Sequence, residues 1–152
     1  MKNRICLPLL MAIVLLVNIK LDILGGSFRF LATGDLPYSI EQFDKYHRLL
    51  KQSESEKFSF LVHVGDFKES YAECSDESFE RIRQMFQNYP KPVVYTPGDN
   101  DWTDCHRTGQ DPIERLKQLR KMFYYDAKTL RLNELNVQQQ SQNPKYKKYI
   151  EN

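Results

Sequence analysis

Several common signatures are missing from this 152-residue chain, and each absence narrows its function. No Walker A, GxGxxG, GxSxG or HExxH stretch occurs, which removes the P-loop, dinucleotide, α/β-hydrolase and zincin readings. The three cysteines include no CxxC pair, so a structural zinc site has little support. Excess charge is missing too. The 22 basic and 20 acidic residues leave a net charge of +2, without the clustered basic surface of a nucleic-acid-binding domain. No nucleic-acid partner is expected. Six glycines and seven prolines are too few for a collagen-like or low-complexity chain. With 41% hydrophobic and 28% charged residues, the composition is that of a globular protein.

Long apolar runs are also scarce. The one present is ICLPLLMAIVLLV, Ile5 to Val17, directly after Lys2 and Arg4. A basic start and a short apolar stretch read as a secretory signal peptide. A spanning helix needs roughly 20 apolar residues. Ile19, Leu21, Ile23 and Leu24 extend the run past Asn18, Lys20 and Asp22, so an uncleaved anchor through residues 5–24 is the alternative. Gly25-Gly26-Ser27 offers small residues for cleavage but no A-x-A pattern. The run has no polar face, which argues against a buried core helix. The expected organisation is a signal peptide or anchor over 1–26, a domain over 27–126 and a polar tail over 127–152. The expected location is exported (secreted or periplasmic) or membrane-anchored. Residues 1–26 hold Lys2, Arg4, Lys20 and Asp22; without them 19 basic and 19 acidic residues remain. Cys6 lies in the targeting segment. Cys74 and Cys105 form an even pair in an oxidising compartment, so a disulfide is expected, with two unpaired thiols as the alternative.

The rest of the chain alternates between two periodicities. Phe28–Ala32, Phe58–Val64 and Val93–Thr96 read as strands. Ile40, Phe43, His47 and Leu50 mark a helix over about Ser39–Gln52. Phe79, Ile82, Met85 and Phe86 mark a second, capped by Ser75 or Asp76. Asp111-Pro112-Ile113-Glu114 opens a third, with Asp at the cap, Pro at the first helical position and Glu reaching back. Its apolar face is Ile113, Leu116, Leu119, Met122 and Phe123. Leu130, Leu132 and Leu135 suggest a short strand, and the residues from Gln138 onward suggest no element. Strand–helix alternation points to an α/β fold with a largely parallel sheet. Ligands of such sheets sit beyond the carboxyl ends of the strands.

Those ends share one feature. Six glycines and ten aspartates predict roughly 0.4 Gly-Asp pairs by chance. Three occur, Gly34-Asp35, Gly65-Asp66 and Gly98-Asp99, and each follows an expected strand. One such pair is ordinary turn chemistry. Three in register bring three carboxylates to one edge, where mutual repulsion calls for a cation such as Mg²⁺, Mn²⁺, Fe or Zn²⁺. Two-metal hydrolases use such carboxylates to drive in-line phosphoryl displacement.

This strand–Gly-Asp ladder resembles the calcineurin-like metallophosphoesterases. The family pattern runs D-x-H, G-D and G-N-H-D/E, then two later histidine motifs. The counterparts here are Asp35-Leu36-Pro37, Gly65-Asp66 and Gly98-Asp99-Asn100-Asp101. With Trp102-Thr103-Asp104-Cys105 the third block is close to a G-D-N-E-W-T-D-C variant. The resemblance covers roughly Phe28–Phe123 and implies the first half of an αββα sandwich of two packed sheets. It implies two divalent metals and a phosphate-ester substrate. Asp35 matches the aspartate on the first metal and Asp66 the one bridging both metals. Asp99 falls where the family has a metal-binding Asn, and Asn100 where it has a His acting on the phosphate or leaving group; a shift of one residue makes Asn100 the ligand. Asn100 and Asp101 are therefore the candidate catalytic residues. Pro37 replaces the D-x-H histidine and cannot ligate, which leaves Tyr38 as the nearest donor. Tyr38, Lys68 and Arg107 are candidates for substrate contact, although Lys68 and Arg107 also read as solvated loop residues. His63 reads as a core histidine, His47 as helix packing, and Trp102 as an anchor for its loop. No histidine follows His106, so the expectation is a phosphoesterase truncated within its fold, with little activity alone. Half a sandwich also leaves one sheet face bare, to be covered by the missing half or a partner. The alternative is a non-catalytic exported α/β binding protein or pseudoenzyme fragment.

Overall fold

The computed structural model describes residues 29–126, 128–135 and 138–151. The expected targeting segment lies outside these residues. Three strands, β1 (Phe30–Thr33), β2 (Phe60–His63) and β3 (Val93–Tyr95), form one parallel sheet in the order β1-β2-β3. Helix α1 (Ile40–Ser53) connects β1 to β2, α2 (Asp76–Asn88) connects β2 to β3, and α3 (Pro112–Phe123) follows β3. The protein is thus α/β, built on consecutive strand–helix–strand units.

The register explains which side of the sheet is covered. Leu61 pairs with Leu31 and Val93, and His63 with Thr33 and Tyr95, so these rows share one face. All three helices pack there. Tyr46 of α1 lies 5.8 Å from the His63 ring, Phe86 of α2 lies 5.0 Å from it, and Phe123 of α3 lies 4.8 Å from Tyr95. The intervening rows carry Phe30, Ala32, Phe60, Val62 and Val94 to the opposite face. Phe30 and Phe60 stack there at 5.3 Å, with Phe30 48% exposed. Parallel sheets are ordinarily covered on both faces. Among the described residues, the second face of this sheet is apolar.

Local signals set the helix starts. Ser39 caps α1 by accepting from the Gln42 N–H, and Ser75 caps α2 by accepting from the Ser78 N–H. Asp111 caps α3 through the N–H groups of Ile113 and Glu114, with Pro112 at the first position. Only half of the expected capping box forms, because the Glu114 carboxylate binds Arg115 instead of reaching back. The periodicity of α1 also needs correction. His47 and Ile40 are exposed, and the buried positions are Tyr46, Leu50 and, at the end of the helix, Ser53. Tyr46 carries a hydroxyl that Thr33 satisfies at 2.8 Å, so it fills the core position. Ile113 is likewise 54% exposed, and Leu119 and Phe123 carry the contact of α3.

The segment expected to hold a fourth strand is a turn. Leu132–Glu134 is a short 3₁₀ helix, and a single backbone bond joins Leu130 O to the Val93 N–H. Leu130 and Leu132 are buried, so their leucines serve packing and not pairing. The stretch expected to be a polar tail contains two further 3₁₀ turns, Gln140–Gln142 and Pro144–Tyr146. It returns to the body, where Glu151 pairs with Arg120 and Ile150 packs against the core.

Candidate metal centre

The three Gly-Asp loops meet beyond the carboxyl ends of the strands, and glycine makes the meeting possible. A Cβ at Gly65 would stand 2.0 Å from the Gly98 backbone nitrogen. One at Gly98 would stand 2.0 Å from Asp66 Oδ1 and 2.7 Å from the Asp66 nitrogen. The second and third loops therefore touch backbone to backbone, and any side chain would part them. The backbone is also bent. Asp35 has φ 63° and Asp66 has φ 58°, the left-handed region, next to Gly65 at φ 90°. Aspartate enters that region more readily than most residues, yet such positions concentrate at functional sites.

Asp101 ties the loops together. Its carboxylate is fully buried and accepts from the N–H groups of Asp66 (3.0 Å), Phe67 (2.9 Å) and Gly98 (2.9 Å) and from the Tyr95 hydroxyl (2.8 Å). Burial raises its pKa to about 6 against the pull of these four donors. Asp101, one of the two candidate catalytic residues, thus has both carboxylate oxygens committed to donors of the surrounding loops.

His63 supplies a second tie. Its Nε2 lies 3.0 Å from Leu36 O, and its Nδ1 accepts from the Gly65 N–H at 3.2 Å. This pattern fixes the neutral tautomer with the proton on Nε2. Burial is the main reason that its pKa falls to about 4. His63 thus joins the first and second loops from within the core, as the core reading of this histidine expected.

The edge itself carries Asp35, Asp66 and Asp99, with Asn100 and Tyr38 between them. Asp35 and Asp99 are exposed, and Asp66 is partly so. Asp66 Oδ1 accepts from the Asn100 N–H at 3.0 Å. The Tyr38 hydroxyl donates to Asp35 Oδ1 and lies 3.4 Å from Asn100 Nδ2. Burial pushes the Asp66 carboxyl above its usual range; the Asn100 N–H opposes this, and the charges of Asp99 and Asp35 add to it. Burial, then Asp35, raises the Tyr38 phenol as well. Burial leads both shifts, and the neighbouring carboxylates add to them. The donors are carboxylates, an amide and a phenol, a set of hard oxygen ligands that fits Mg²⁺ or Mn²⁺ better than a soft metal. The set is partial. Among the described residues, no three His, Cys, Asp or Glu side chains stand close enough to hold one ion as a closed group.

The other two candidates for substrate contact, Lys68 and Arg107, have partners of their own. Lys68 is buried, and its ammonium donates to Glu69 O and Ala72 O. Arg107 pairs with Asp104 at 3.3 Å, donates to Ser70 Oγ and lies over the Tyr71 ring. Its charge is spent within the loop that follows the third motif. A disulfide joins Cys74 to Cys105, with the Cα atoms 5.7 Å apart, and fastens that loop to the start of α2.

Fold and site together define an α/β domain whose parallel sheet gathers carboxylates at its ligand-binding edge. Over residues 28–150 the chain matches the family model for calcineurin-like phosphoesterase, and it belongs to that family. Members of this family typically bind divalent metals and act on phosphate esters. Neither a curated protein nor a solved structure matches the chain.

Proposed function

We propose that this chain carries the carboxylate half of a metal-dependent phosphoesterase site, with Asp35 and Asp66 as principal ligands and Asp99 or Asn100 beside them. The observation that supports this most is Asp66, a left-handed residue at the meeting point of the three Gly-Asp loops, whose carboxyl is pushed up first by burial and then by the charges of Asp99 and Asp35. A divalent cation there would supply Lewis-acid stabilisation of charge on the transferring phosphoryl group. The residues contribute placement. Gly65 and Gly98 let the loops touch, Asp101 and His63 hold them, and Asn100 is fixed by its own N–H on Asp66. No histidine of the described residues joins this edge: His63 is buried in the core, while His47 and His106 are exposed outside it. We therefore infer that the isolated chain turns over slowly. Export through residues 1–26 belongs to the same proposal and is supported by the disulfide, which oxidising compartments favour.

The test is hydrolysis of phenyl phosphate by the purified chain with added Mn²⁺, alongside Mn²⁺ binding by calorimetry. Binding that disappears in both Asp35→Ala and Asp66→Ala, with weak turnover, supports the proposal. Fast turnover abolished by Asp66→Ala removes the half-site claim. Undetectable metal binding in the wild type removes the phosphoesterase reading.

A further inference from the structure

A cleft of about 220 Å³ opens beside the carboxylate edge, between the starts of α1 and α2. Tyr38 belongs to both places. Its ring lines the cleft and its hydroxyl donates to Asp35. Phe67, next in sequence to Asp66, forms another part of the lining, and Phe43 a third. The remaining character is cationic. Lys68 and Arg81 line the cleft, and no aspartate or glutamate does. Two of the three N–H groups of the Lys68 ammonium go to Glu69 O and Ala72 O; the third has no partner among the described residues. Arg81 meets Glu77 at 3.3 Å, but that carboxylate is 84% exposed and screened by water.

Size limits the occupant. Whole-ligand pockets run to about 300–1,000 Å³, whereas an apolar cavity of about 150 Å³ already takes benzene. The cleft therefore suits one part of a substrate, about a single ring. Resting on the phosphoesterase reading, we propose that it is the leaving-group subsite, and that it selects phosphate esters of a compact alcohol bearing an anionic group. The phosphoryl end lies at the carboxylate edge, the apolar body lies between Tyr38 and Phe43, and the anion faces Lys68 and Arg81. Hydrolysis breaks the bond from phosphorus to the alcohol oxygen; water gives its hydroxyl to phosphorus and a proton to the alcohol.

The leaving group can be tested without turnover. Binding of 4-hydroxybenzoate and of phenol to the full chain is measured by calorimetry, for wild type, Arg81→Gln and Ser78→Phe. Ser78 lines the cleft, so a ring there fills it. Arg81 is half-exposed, so its loss leaves the fold intact. The expected result is at least tenfold tighter binding of 4-hydroxybenzoate than of phenol in the wild type. Arg81→Gln should erase that preference, and Ser78→Phe should weaken both ligands at least tenfold. Equal binding of the two in the wild type, or binding unchanged in both variants, overturns the subsite. Mn²⁺ binding by the same chain, measured by calorimetry, separates the two claims. Its absence alongside the expected binding pattern refutes the phosphoesterase reading and leaves the anion-selective cleft standing.

Discussion

His63 should make this fold acid-sensitive by an amount that can be worked out. The imidazole is fully buried and is matched only as the neutral ring, with Nε2–H on Leu36 O and Nδ1 under the Gly65 N–H. A second proton on Nδ1 would set one donor against another. Accordingly its pKa falls from 6.5 to about 4, chiefly through burial. The sign follows. In the unfolded chain the histidine protonates near 6.5, and in the fold only near 4. Its contribution is therefore intact above about 6.5 and is lost progressively as the pH falls toward about 4. At about 1.4 kcal/mol per pH unit, the loss is about 3 kcal/mol, a large share of the 5–15 kcal/mol typical of a domain. Urea unfolding from pH 7.5 to 4.0 would compare wild type with His63→Phe, which removes the titration and leaves Leu36 O and the Gly65 N–H unmatched. At pH 7.5 the variant should be less stable by about 2–4 kcal/mol. By pH 4 the gap should shrink by about 3 kcal/mol, because only the wild type loses stability through this group. A gap constant over the whole range would refute the buried neutral link. So would an NMR titration placing the His63 pKa near 6.5.

Four further outcomes follow from the same geometry. Asp101→Ala leaves three backbone N–H groups and the Tyr95 hydroxyl unmatched; at about 1–3 kcal/mol each, the loss by chemical denaturation should reach about 4 kcal/mol or more, against about 1 kcal/mol for Tyr95→Phe. Gly98→Ala forces a Cβ to 2.0 Å from Asp66 Oδ1, so it should destabilise by about 3 kcal/mol and weaken Mn²⁺ binding in calorimetry even where the fold survives. Replacing Cys74 and Cys105 by serine opens a loop with a sequence separation of 31, a loss of about 4 kcal/mol on the chain-entropy model, measurable as the difference between variant and oxidised wild type. Asp66→Asn should stabilise the metal-free protein at neutral pH, because burial and then the Asp99 and Asp35 charges disfavour the Asp66 carboxylate, and the gain should fade as the pH drops and the wild-type carboxyl takes up its proton; the same variant should lose the rise in melting temperature expected from Mn²⁺ in the wild type.

How much of this was legible in the sequence depends on whether the signal was local. The strand ends were legible because glycine and aspartate mark them directly, and all three Gly-Asp pairs fall just beyond β1, β2 and β3. The helix starts were legible because caps are short-range chemistry. The inward face of α1 was not. Tyr46 and His47 are neighbours, and the choice between them rests on the Thr33 hydroxyl reaching Tyr46 from β1, a contact between residues 13 apart. The burial of Asp101 was not legible for a similar reason. As the residue two positions past Gly98-Asp99 it looks like one more acid at the edge. Its burial depends on Tyr95 and on the backbone of residues 66 and 67, some 35 positions upstream. Lys68 beside Asp66 suggested a phosphate contact. Sequence adjacency could not show that the chain turns after Phe67 and carries the ammonium to Ala72.

The division of labour among the acids bears on why glycine precedes each edge aspartate. An acid that stabilises the fold collects donors, as Asp101 does, and needs no special neighbour. An acid kept for a cation must be held near other acids, which repel it, on a backbone that resists the bend. Glycine answers both demands at once. At Gly65 and Gly98 it lets two loops approach until their backbones touch, so the repelling carboxylates are placed by the sheet behind them, with a single donor each on Asp35 and Asp66. The buried pair Asp101 and His63 then locks the loops from beneath, where water cannot compete. The arrangement predicts an order of sensitivity. Substitutions beneath the edge should lower stability and metal affinity together, whereas those at Asp35 or Asp66 should lower metal affinity while leaving stability unchanged or improved. A domain that used these aspartates only as turn residues would show the opposite order, because its edge acids would then be holding the loops.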